Sequence, residues 1–416
     1  MIFFFTKSNL LIDQQFGFRE NYSTSLGALH LTNHIIQNID KGDFSIGVFM
    51  DLSKAFDTID HQILLKKLFH YGIRGLPLKL FESYLSNRKQ FVMVNGVKSK
   101  YNEVNCGVPQ GSVLGPLLFL IYINDIKESC SNFLDFTLFA DDTSVVGSHN
   151  NIFSLVSKMN EELGGLNNWF KCNKLCLNYD KTNYIIFRSK NRRVPNDLPL
   201  IIIDDNVICR KESHQFLGII IDEFMSWKLH VNHLSLKLAR SIGVLSRLKY
   251  FLPSNILFLL YNSIIVPHLN YCNMIWGNTY KSYLNKLLLL QKRAIRIITK
   301  SDFRHPSQPL FAKLQVLPIH ELIRLNTVLY MFRLQNKLLP KMPNINLVNN
   351  SNIHRYFTRQ RDNIQLPICR TTMATNSFLY RAIHEWNNLD NALKSTSLYS
   401  KFKRTLKNSV IKSITS

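Results

Sequence analysis

The 416-residue sequence has no acidic side chain between Phe224 and Lys300, although Lys and Arg recur throughout that segment. It contains 7 cysteines, an odd number without regular spacing, which excludes a disulfide framework and indicates a reducing compartment. Apolar runs long enough to span a membrane are also missing. The run from Val113 to Ile123 is too short for that and predicts a buried helix instead. We therefore expect an intracellular protein, nuclear or cytoplasmic, without a membrane partner.

The overall composition is that of a folded, strongly basic protein. Apolar residues make up 46% of the chain and charged residues 19%. The formal net charge is +23, from 51 Lys and Arg against 28 Asp and Glu. Such an excess of positive charge indicates a polyanionic partner, with nucleic acid ahead of a membrane surface. The length is sufficient for two or three domains.

The acid-free segment carries its positive charge at helical spacing. Because residues three, four or seven positions apart lie on one face of a helix, we expect two basic stripes here. The stripe residues are Lys237, Arg240 and Arg247 in one helix and Lys286, Arg293, Arg296 and Lys300 in the other. A short charge run is usually a solvated helix face, but the lack of counter-charge over this whole segment favours contact with phosphates.

Two adjacent carboxylates, Asp141 and Asp142, lie between apolar runs that predict a β-hairpin with the acids at its tight turn. A third acid, Asp51, lies near the end of the predicted strand Phe44–Leu52. Carboxylates gathered from separate strand ends are the ligands that hard divalent cations such as Mg²⁺ require. Two such ions support an in-line phosphoryl displacement. Taken alone, however, an Asp-Asp pair is also an ordinary polar turn.

A second block, Cys106–Pro116, contains three glycines and two prolines. This composition predicts a stiff loop that a ligand can approach closely, leading into the N-terminus of the next helix. Gln110 can offer an uncharged amide to a nucleotide or a template base, and Gly111 lets the backbone come near a ligand. Ordinary turn chemistry is the alternative for a glycine-rich loop taken alone.

Strand and helix patterns alternate in the first half of the chain, and the second half is largely helical. Antiparallel strands packed by helices define an α+β protein, unlike the regular β-α repeat of a parallel sheet. Asn95-Gly96 predicts a hairpin turn, whereas Ile201–Cys209 and Gln215–Ile221 each predict one strand. Long helices are predicted over His230–Tyr250, Asn255–Leu269, Ser282–Lys300 and Pro318–Leu338, before an irregular polar segment, Asn344–Pro367.

The order and spacing of three blocks resemble motifs A, B and C of reverse transcriptases. The blocks are Asp51–Asp57, Pro109–Gly111 and Phe139–Asp142. They are similar to non-LTR (LINE-type) retrotransposon enzymes, particularly jockey-like ones. Further blocks that carry the resemblance are Gln15–Arg19, Tyr84–Gln90, Leu177-Asn178 with Lys181-Thr182, Phe216–Ile219, and Ser377–Arg381 with Trp386-Asn387.

The resemblance implies a catalytic role for four matching residues. Asp51, Asp141 and Asp142 would be the catalytic carboxylates and the ligands of two Mg²⁺ ions, with Mn²⁺ as the alternative ion. Lys181 would protonate or neutralise the pyrophosphate leaving group, although its type and position also fit a surface lysine.

The resemblance also implies binding roles. Leu52 through its carbonyl, Phe56 as a steric gate beneath the sugar, Gln110 and Gly111 would contact the incoming nucleotide. Phe216, Leu217 and Gly218 would form the primer grip, and the basic stripes would hold the template–primer backbone. From the residues alone, Phe56 could equally be a core aromatic. Asp57 and Asp60 are predicted to be helix caps, and Arg19 either contacts the template or pairs with an acid.

The fold that the resemblance implies is α+β, with a right-hand polymerase palm formed by an antiparallel sheet packed by helices. We expect the palm with partial fingers over residues 1–225, a helical basic thumb over 226–340, and a linker with a C-terminal helical region over 341–416. The family pattern normally begins upstream of Gln15, so we expect the N-terminal fingers segment to be missing and nucleotide binding to be weak.

The activity that the resemblance implies is RNA-directed DNA polymerisation. An RNA template, a DNA primer and dNTPs would be its partners, and two-metal nucleotidyl transfer onto the primer 3′-OH its mechanism. The alternative is a catalytically impaired retrotransposon remnant that only binds nucleic acid through the basic helices. A group II intron-type polymerase is disfavoured by Phe139-Ala140 before the acids and by the C-terminal block.

Overall fold

The computed structural model describes residues 2–342, 345, 347–352 and 361–415. Over these ranges the chain is a mixed α and β protein, in which helices accompany a five-stranded sheet and several two-stranded ones. A membrane crossing needs a long, apolar helix, and the described part of the chain contains none.

The chain divides into two compact units. Unit 1 comprises residues 1–27 and 42–212, and unit 2 comprises residues 28–41 and 213–416. The boundaries expected at residues 225 and 340 separate the palm, the thumb and the C-terminal region of a polymerase, and they stay predictions.

Most strands belong to unit 1. They are β1 (Phe44–Met50), β2 (Arg88–Gln90), β3 (Met93–Val94), β4 (Val97–Lys98), β5 (Asn102–Val104), β6 (Asp135–Phe139), β7 (Asp142–His149), β8 (Asn183–Phe187), β9 (Ile202–Ile203), β10 (Asn206–Val207) and β11 (Cys209–Arg210). Unit 2 has the hairpin of β12 (Ser213–Phe216) and β13 (Ile219–Asp222).

The main sheet has the strand order β11-β8-β1-β7-β6. Its neighbouring strands are antiparallel except β8 and β11, which run parallel. Every residue of the central strand β1 is buried. A strand that is covered on both faces favours a continuous apolar run over an alternating one, and the sequence of β1 has this character.

The helices of the first part of the chain lie mostly in unit 1. They are α1 (Ile2–Lys7), α2 (Thr24–Lys41), α3 (His61–His70), α4 (Leu76–Leu85), α5 (Leu114–Ile123) and α6 (Ile152–Cys172), with a 3₁₀ turn at Ile126–Ser129. Helix α6 packs on β1 and β7, and the Asn151 side chain caps its first turn. Helix α5 is apolar and almost entirely buried, which confirms the buried helix predicted for this run.

Unit 2 is mainly helical. Its remaining helices are α7 (Lys228–Leu248), α8 (Ser254–Ile264), α9 (Val266–Asn270), α10 (Asn273–Trp276), α11 (Lys281–Ile298), α12 (Ser307–Lys313), α13 (Ile319–Gln335), α14 (Thr372–Thr375), α15 (Phe378–Asn387), α16 (Asn391–Lys394) and α17 (Tyr399–Thr415), with a 3₁₀ turn at Asn350–Asn352. Helices α13, α15 and α17 share an aromatic core in which the rings of Phe332 and Phe402 stack with centroids 4.3 Å apart. Three of the long helices predicted for this region are confirmed, with shifted ends, as α7, α11 and α13. The predicted helix Asn255–Leu269 is instead two helices, α8 and α9, which divide at Ile265.

Two predicted strands are wrong, because each is a hairpin. Ile201–Cys209 contains β9 and β10, joined by Asp204 and Asp205, which both have positive φ. Gln215–Ile221 contains a turn between β12 and β13. The hairpin predicted at Asn95-Gly96 is confirmed as β3–β4. Part of the predicted irregular segment Asn344–Pro367, including residues 353–360, lies outside the described residues.

Candidate active site

Neighbouring central strands bring Asp51 and Asp142 to one end of the main sheet. In the antiparallel pair of β1 and β7, Met50 lies opposite Thr143, and Asp51 and Asp142 are the next residues along each strand. Phe139 pairs with Asp142 across β6 and β7, so Asp141 lies in the two-residue turn between these strands. The predicted hairpin with the acids at its turn is confirmed.

The turn that carries Asp141 is supported by Gln15. Ala140, the first turn residue, has a φ of 56°, and positive φ at this position is typical of the mirror-image turns that hairpins prefer. Its N–H donates to Gln15 Oε1 at 3.1 Å, and the same oxygen accepts the N–H of Gly17 at 2.8 Å. No role for Gln15 could be predicted from its residue type, although it opens the first of the flanking blocks.

The three carboxylates act on one another electrostatically. The pKa of Asp142 is raised to about 6, mainly by burial and in addition by the negative charges of Asp141 and Asp51. The side chain of Asp142 still reaches solvent. The end of the sheet is therefore a place of excess negative charge that a bound cation would relieve.

Lys181 reaches the same end of the sheet from the segment before β8. Its Nζ lies 3.4 Å from Asp51 Oδ2, and 69% of the side chain is exposed. Backbone bonds align this segment with the residues after β1, because Asn178 N–H donates to the Asp51 carbonyl and Ser53 N–H to the Cys176 carbonyl, both at 2.9 Å. The structure thus brings Lys181 together with Asp51.

The loop that contains Gln110 is fastened to the loop after Asp51. Gly107 N–H donates to the Ile59 carbonyl at 2.7 Å, and Val108 N–H to the Phe56 carbonyl at 2.9 Å. Gly107 has a φ of 82°, and a Cβ there would lie 2.6 Å from a backbone oxygen of Asp57. Glycine is required at this crossing, because any side chain would force the two loops apart.

Gln110 is held by Asp57. Its Nε2 donates to the two carboxylate oxygens of Asp57 at 3.0 and 3.2 Å. The prediction that Asp57 caps a helix is wrong, whereas Asp60 does cap α3 by accepting the Ile63 N–H at 2.9 Å. Gly111 has a φ of 78° and open space where a Cβ would lie, an arrangement that leaves its backbone accessible.

Leu52 belongs to the hydrophobic core, and Phe56 packs against that core. The ring of Phe56 is half-buried and stacks on Phe119, with centroids 4.5 Å apart and planes 26° from parallel. Phe18 approaches the ring edge-on at 6.3 Å. Leu52 is buried and forms a bridge with Leu177. Phe56 therefore has a fixed position and one accessible part, and the gating role stays a prediction.

Arg19 contacts the backbone of its own segment. Its Nη1 donates to the Ile12 carbonyl at 2.6 Å and to the Gln15 carbonyl at 3.2 Å, and the guanidinium stacks on Tyr22. Burial lowers the pKa of Arg19. The side chain thus holds the Gln15 segment in place.

The residues predicted as primer grip form the turn of the β12–β13 hairpin in unit 2. Leu217 and Gly218, the two turn residues, have φ values of 43° and 81°, and Phe216 is buried at the end of β12. The Tyr271 hydroxyl donates to the Leu217 carbonyl at 2.6 Å. The turn is rigidly held within unit 2, and contact with a primer stays a prediction.

The predicted basic stripes lie on α7 and α11, which pack side by side in unit 2, except that Lys300 follows the end of α11. Lys286 Nζ donates to Asn232 Oδ1 at 3.1 Å, which ties the two helices together near their N-terminal ends. The stripe side chains are exposed except that of Arg296, which is half-buried: Lys237, Arg240, Arg247, Lys286, Arg293, Arg296 and Lys300. They are available to a polyanion.

The described residues do not contain a ready-made metal site. Within these ranges, no three or more His, Cys, Asp or Glu side chains form a group that could hold a metal ion. The donor set nevertheless fits Mg²⁺ in its chemistry, because Asp51, Asp141 and Asp142 offer only oxygen ligands. The raised pKa of Asp142 is a second point of fit, since it reflects burial together with neighbouring negative charge that a divalent ion offsets.

Two known proteins of Drosophila melanogaster are similar to most of the chain. The RNA-directed DNA polymerase from mobile element jockey is 27% identical over 352 residues, which are 80% of this chain and 37% of the relative. The probable RNA-directed DNA polymerase from transposon BS is 30% identical over 368 residues, 81% of this chain and 39% of the relative. The chain thus spans about two fifths of the length of these relatives.

A structural likeness and a family match complete the comparison. The structure of apo telomerase from Candida tropicalis covers 74% of this chain and 50% of its own length, with 11% identity and a TM-score of 0.40, which is too low to add to the assignment. The sequence pattern of the family described as Reverse transcriptase (RNA-dependent DNA polymerase) matches residues 3–221, more than half of the chain. The chain therefore belongs to the reverse transcriptase (RNA-dependent DNA polymerase) family.

Proposed function

We propose that the chain synthesises DNA on an RNA template, adding deoxynucleotides to a primer 3′-OH, as the polymerase part of a non-LTR retrotransposon protein. The observation that carries the proposal is the meeting of Asp51, Asp141 and Asp142 at one end of the main sheet, with Lys181 beside them. Membership of the family supports the reaction, and the names of the relatives support the kind of element.

Asp51, Asp141 and Asp142 are the residues that would hold two Mg²⁺ ions, which when bound neutralise charge on the attacking and leaving oxygens. Lys181 assists the leaving group. Its exposed ammonium rests 3.4 Å from Asp51 Oδ2, so it can turn towards a departing pyrophosphate and donate a proton or offset its charge.

The nucleotide lies against Phe56, Gln110 and Gly111. The ring of Phe56 is fixed by its stack on Phe119, which suits it to exclude a 2′-hydroxyl by steric contact. Gln110 is oriented by Asp57, and the backbone at Gly111 is open to a ligand. The Leu52 carbonyl would offer a further oxygen.

The remaining assignments follow the functional parts of a polymerase. Residues 1–225 act as palm with partial fingers, residues 226–340 as thumb, and residues 341–416 as a linker and C-terminal helical region. The turn Phe216–Gly218 contacts the primer, and the basic stripes of α7 and α11 hold the template–primer backbone without sequence preference.

Primer extension on an RNA template with Mg²⁺ tests the proposal. We expect Asp141→Asn to lower the extension rate at least about a hundredfold, because one of the charges that stabilise the transition state is removed. The matched control is Asp205→Asn, since Asp205 also lies in an Asp-Asp hairpin turn but outside the site. It should extend primers like the wild type.

Two outcomes would contradict the proposal. Extension that persists in Asp141→Asn would place the chemistry elsewhere. Salt-sensitive binding of template–primer without any extension by the wild-type chain would favour the alternative of a remnant that only binds nucleic acid.

A further inference from the structure

A pocket of about 400 Å³ opens in unit 2 where α7 and α11 end side by side. The residues that matter for its chemistry are Lys249 and Tyr250 after α7, and Arg293, Arg296, Lys300 and Phe303 from the end of α11 and the following turn. The volume lies within the range of small-ligand pockets, about 300–1,000 Å³.

Positive charge dominates this pocket. No carboxylate lines it, and within the described part of the chain none of its four basic side chains forms an ion pair with an acid. Neighbouring Asp302 instead caps its own turn, because its Oδ1 accepts the N–H of Arg304 at 2.8 Å.

Helix ends explain only part of this charge. Cations near a helix C-terminus are favourable because the last carbonyls carry roughly half a negative charge per helix. Two helix ends therefore offset about one positive charge, whereas Lys249, Arg293, Arg296 and Lys300 together carry four. The pocket keeps a surplus that attracts an anion.

Exposed aromatic rings stand beside these cations. Tyr250 is 76% and Phe303 79% exposed, although burial is the usual state of such rings. Lys249 Nζ lies 4.8 Å from the centre of the Tyr250 ring, and Arg296 Cζ lies 5.9 Å from that of Phe303. A flat apolar face next to cations matches the two halves of a nucleotide, its base and its phosphate.

We propose that this pocket binds one unpaired nucleotide of a single-stranded nucleic acid. The base stacks on Tyr250 or Phe303, and the flanking phosphates contact Lys249, Arg293 and Lys300. A duplex offers phosphates to any basic surface but keeps its base faces stacked, so only an unpaired base can enter. The inference rests on the proposed function in one respect, namely that the partner is nucleic acid, and it adds a preference for a single strand.

Binding of a short oligothymidine strand, measured by fluorescence anisotropy, tests the stacking. We expect the double variant Tyr250→Leu with Phe303→Leu to bind the single strand about tenfold more weakly and a duplex of equal length within twofold of the wild type. The matched control is Phe251→Leu, because Phe251 is 82% exposed and adjacent but does not line the pocket. Phe251→Leu should bind the single strand and the duplex with the affinities of the wild type.

The cations are tested by the salt dependence of the same binding. Arg293→Gln should lower the slope of log K against log salt by about 0.7 and reduce the preference for the single strand over the duplex. Arg240→Gln, on the α7 stripe outside the pocket, should lower the slope without changing that preference.

A measurement on the wild-type chain covers the case in which a variant fails to fold. A 2-aminopurine placed in the oligothymidine should lose fluorescence on saturating binding, because stacking on an aromatic ring quenches it. Unchanged fluorescence, or an equal loss of affinity for single strand and duplex in the double variant, would overturn the proposal. Absence of primer extension would count against the proposed function and leave this comparison of binding intact.

Discussion

Asp57 fixes the direction in which Gln110 presents its amide. An ionised carboxylate can only accept hydrogen bonds, so the NH₂ group of Gln110 must face Asp57 and its carbonyl oxygen must point elsewhere. Gln110 therefore offers an acceptor to whatever binds there. Asp57 and Gln110 are 53 residues apart in the sequence, so no local sequence pattern could reveal that they pair.

We expect Asp57→Ala to raise the KM for dNTP about fivefold with a smaller change in kcat. The loss of one hydrogen bond to a charged acceptor releases the Gln110 side chain, which must then be ordered when the nucleotide binds. Steady-state primer extension over a range of dNTP concentrations measures this effect.

The control for this prediction is Asp60→Ala. Asp60 caps α3, so its loss should lower thermal stability and leave the KM unchanged. If Gln110→Ala raises the KM and Asp57→Ala does not, Asp57 does not position Gln110.

At the scale of elements, the carboxylate hairpin could be predicted because the acids Asp141 and Asp142 interrupt two apolar runs at its turn. The β12–β13 hairpin could not, because its turn is Leu217-Gly218 within an apolar run, and leucine seldom has the positive φ found here. Asp204-Asp205 did carry a turn signal, since aspartate tolerates positive φ, and the flanking isoleucines concealed it. Contacts such as Gln15 with Ala140, 125 residues apart, depend on tertiary packing and leave no local pattern.

Helix α7 is joined to β13 through a buried histidine. His230 Nδ1 accepts the N–H of Ile220 at 3.3 Å, and its ring packs near Trp276. The pKa of His230 is lowered to about 4, mainly by burial and in addition by the charges of His233 and Lys237. The neutral form is therefore the one that holds this contact.

We expect the free energy of unfolding to fall by about 2 kcal/mol between pH 7 and pH 5 through His230 alone. The unfolded chain takes up a proton as the pH falls through 6.5, whereas the folded chain does so only near pH 4, so protonation favours unfolding in this window. Urea unfolding of wild type and His230→Asn at pH 5, 6 and 7 measures the difference, since asparagine keeps an acceptor but does not titrate.

His305→Asn is the control, because His305 is exposed and its charge is not among those that lower the pKa of His230. Its pH dependence should equal that of the wild type. If the free energy of unfolding changes equally with pH in the wild type and in His230→Asn, His230 does not titrate in this window.

On the scale of the whole molecule, helix α2 lies near the start of the chain but belongs largely to unit 2, which the second half of the chain forms. Helix α2 begins in unit 1, and residues 28–41 are part of unit 2. Asp40 accepts the N–H groups of Arg370 and Thr371 at 3.0 and 2.7 Å and the Thr371 hydroxyl at 2.7 Å. Neither the family resemblance nor the helix pattern predicted this division of the chain.

We expect Asp40→Ala to lower the free energy of unfolding by about 2 kcal/mol, because three hydrogen bonds to one carboxylate are lost together. Equilibrium unfolding in urea measures the change. Glu161→Ala, which removes an exposed acid of α6, should stay within about 0.5 kcal/mol of the wild type. A similarly small change for Asp40→Ala would mean that the contact does not stabilise unit 2.

The position of Asp40 has a consequence for synthesis on the ribosome. Its partner Thr371 follows 331 residues later, and at roughly 5–20 residues per second the interval is about 17–66 s. Most residues of α2 are buried in the finished protein, so for this time the nascent helix displays apolar side chains without the surface that covers them. We therefore expect the yield of folded unit 2 to depend on translation speed and on chaperones. The yield of a domain built from neighbouring segments should depend on them less.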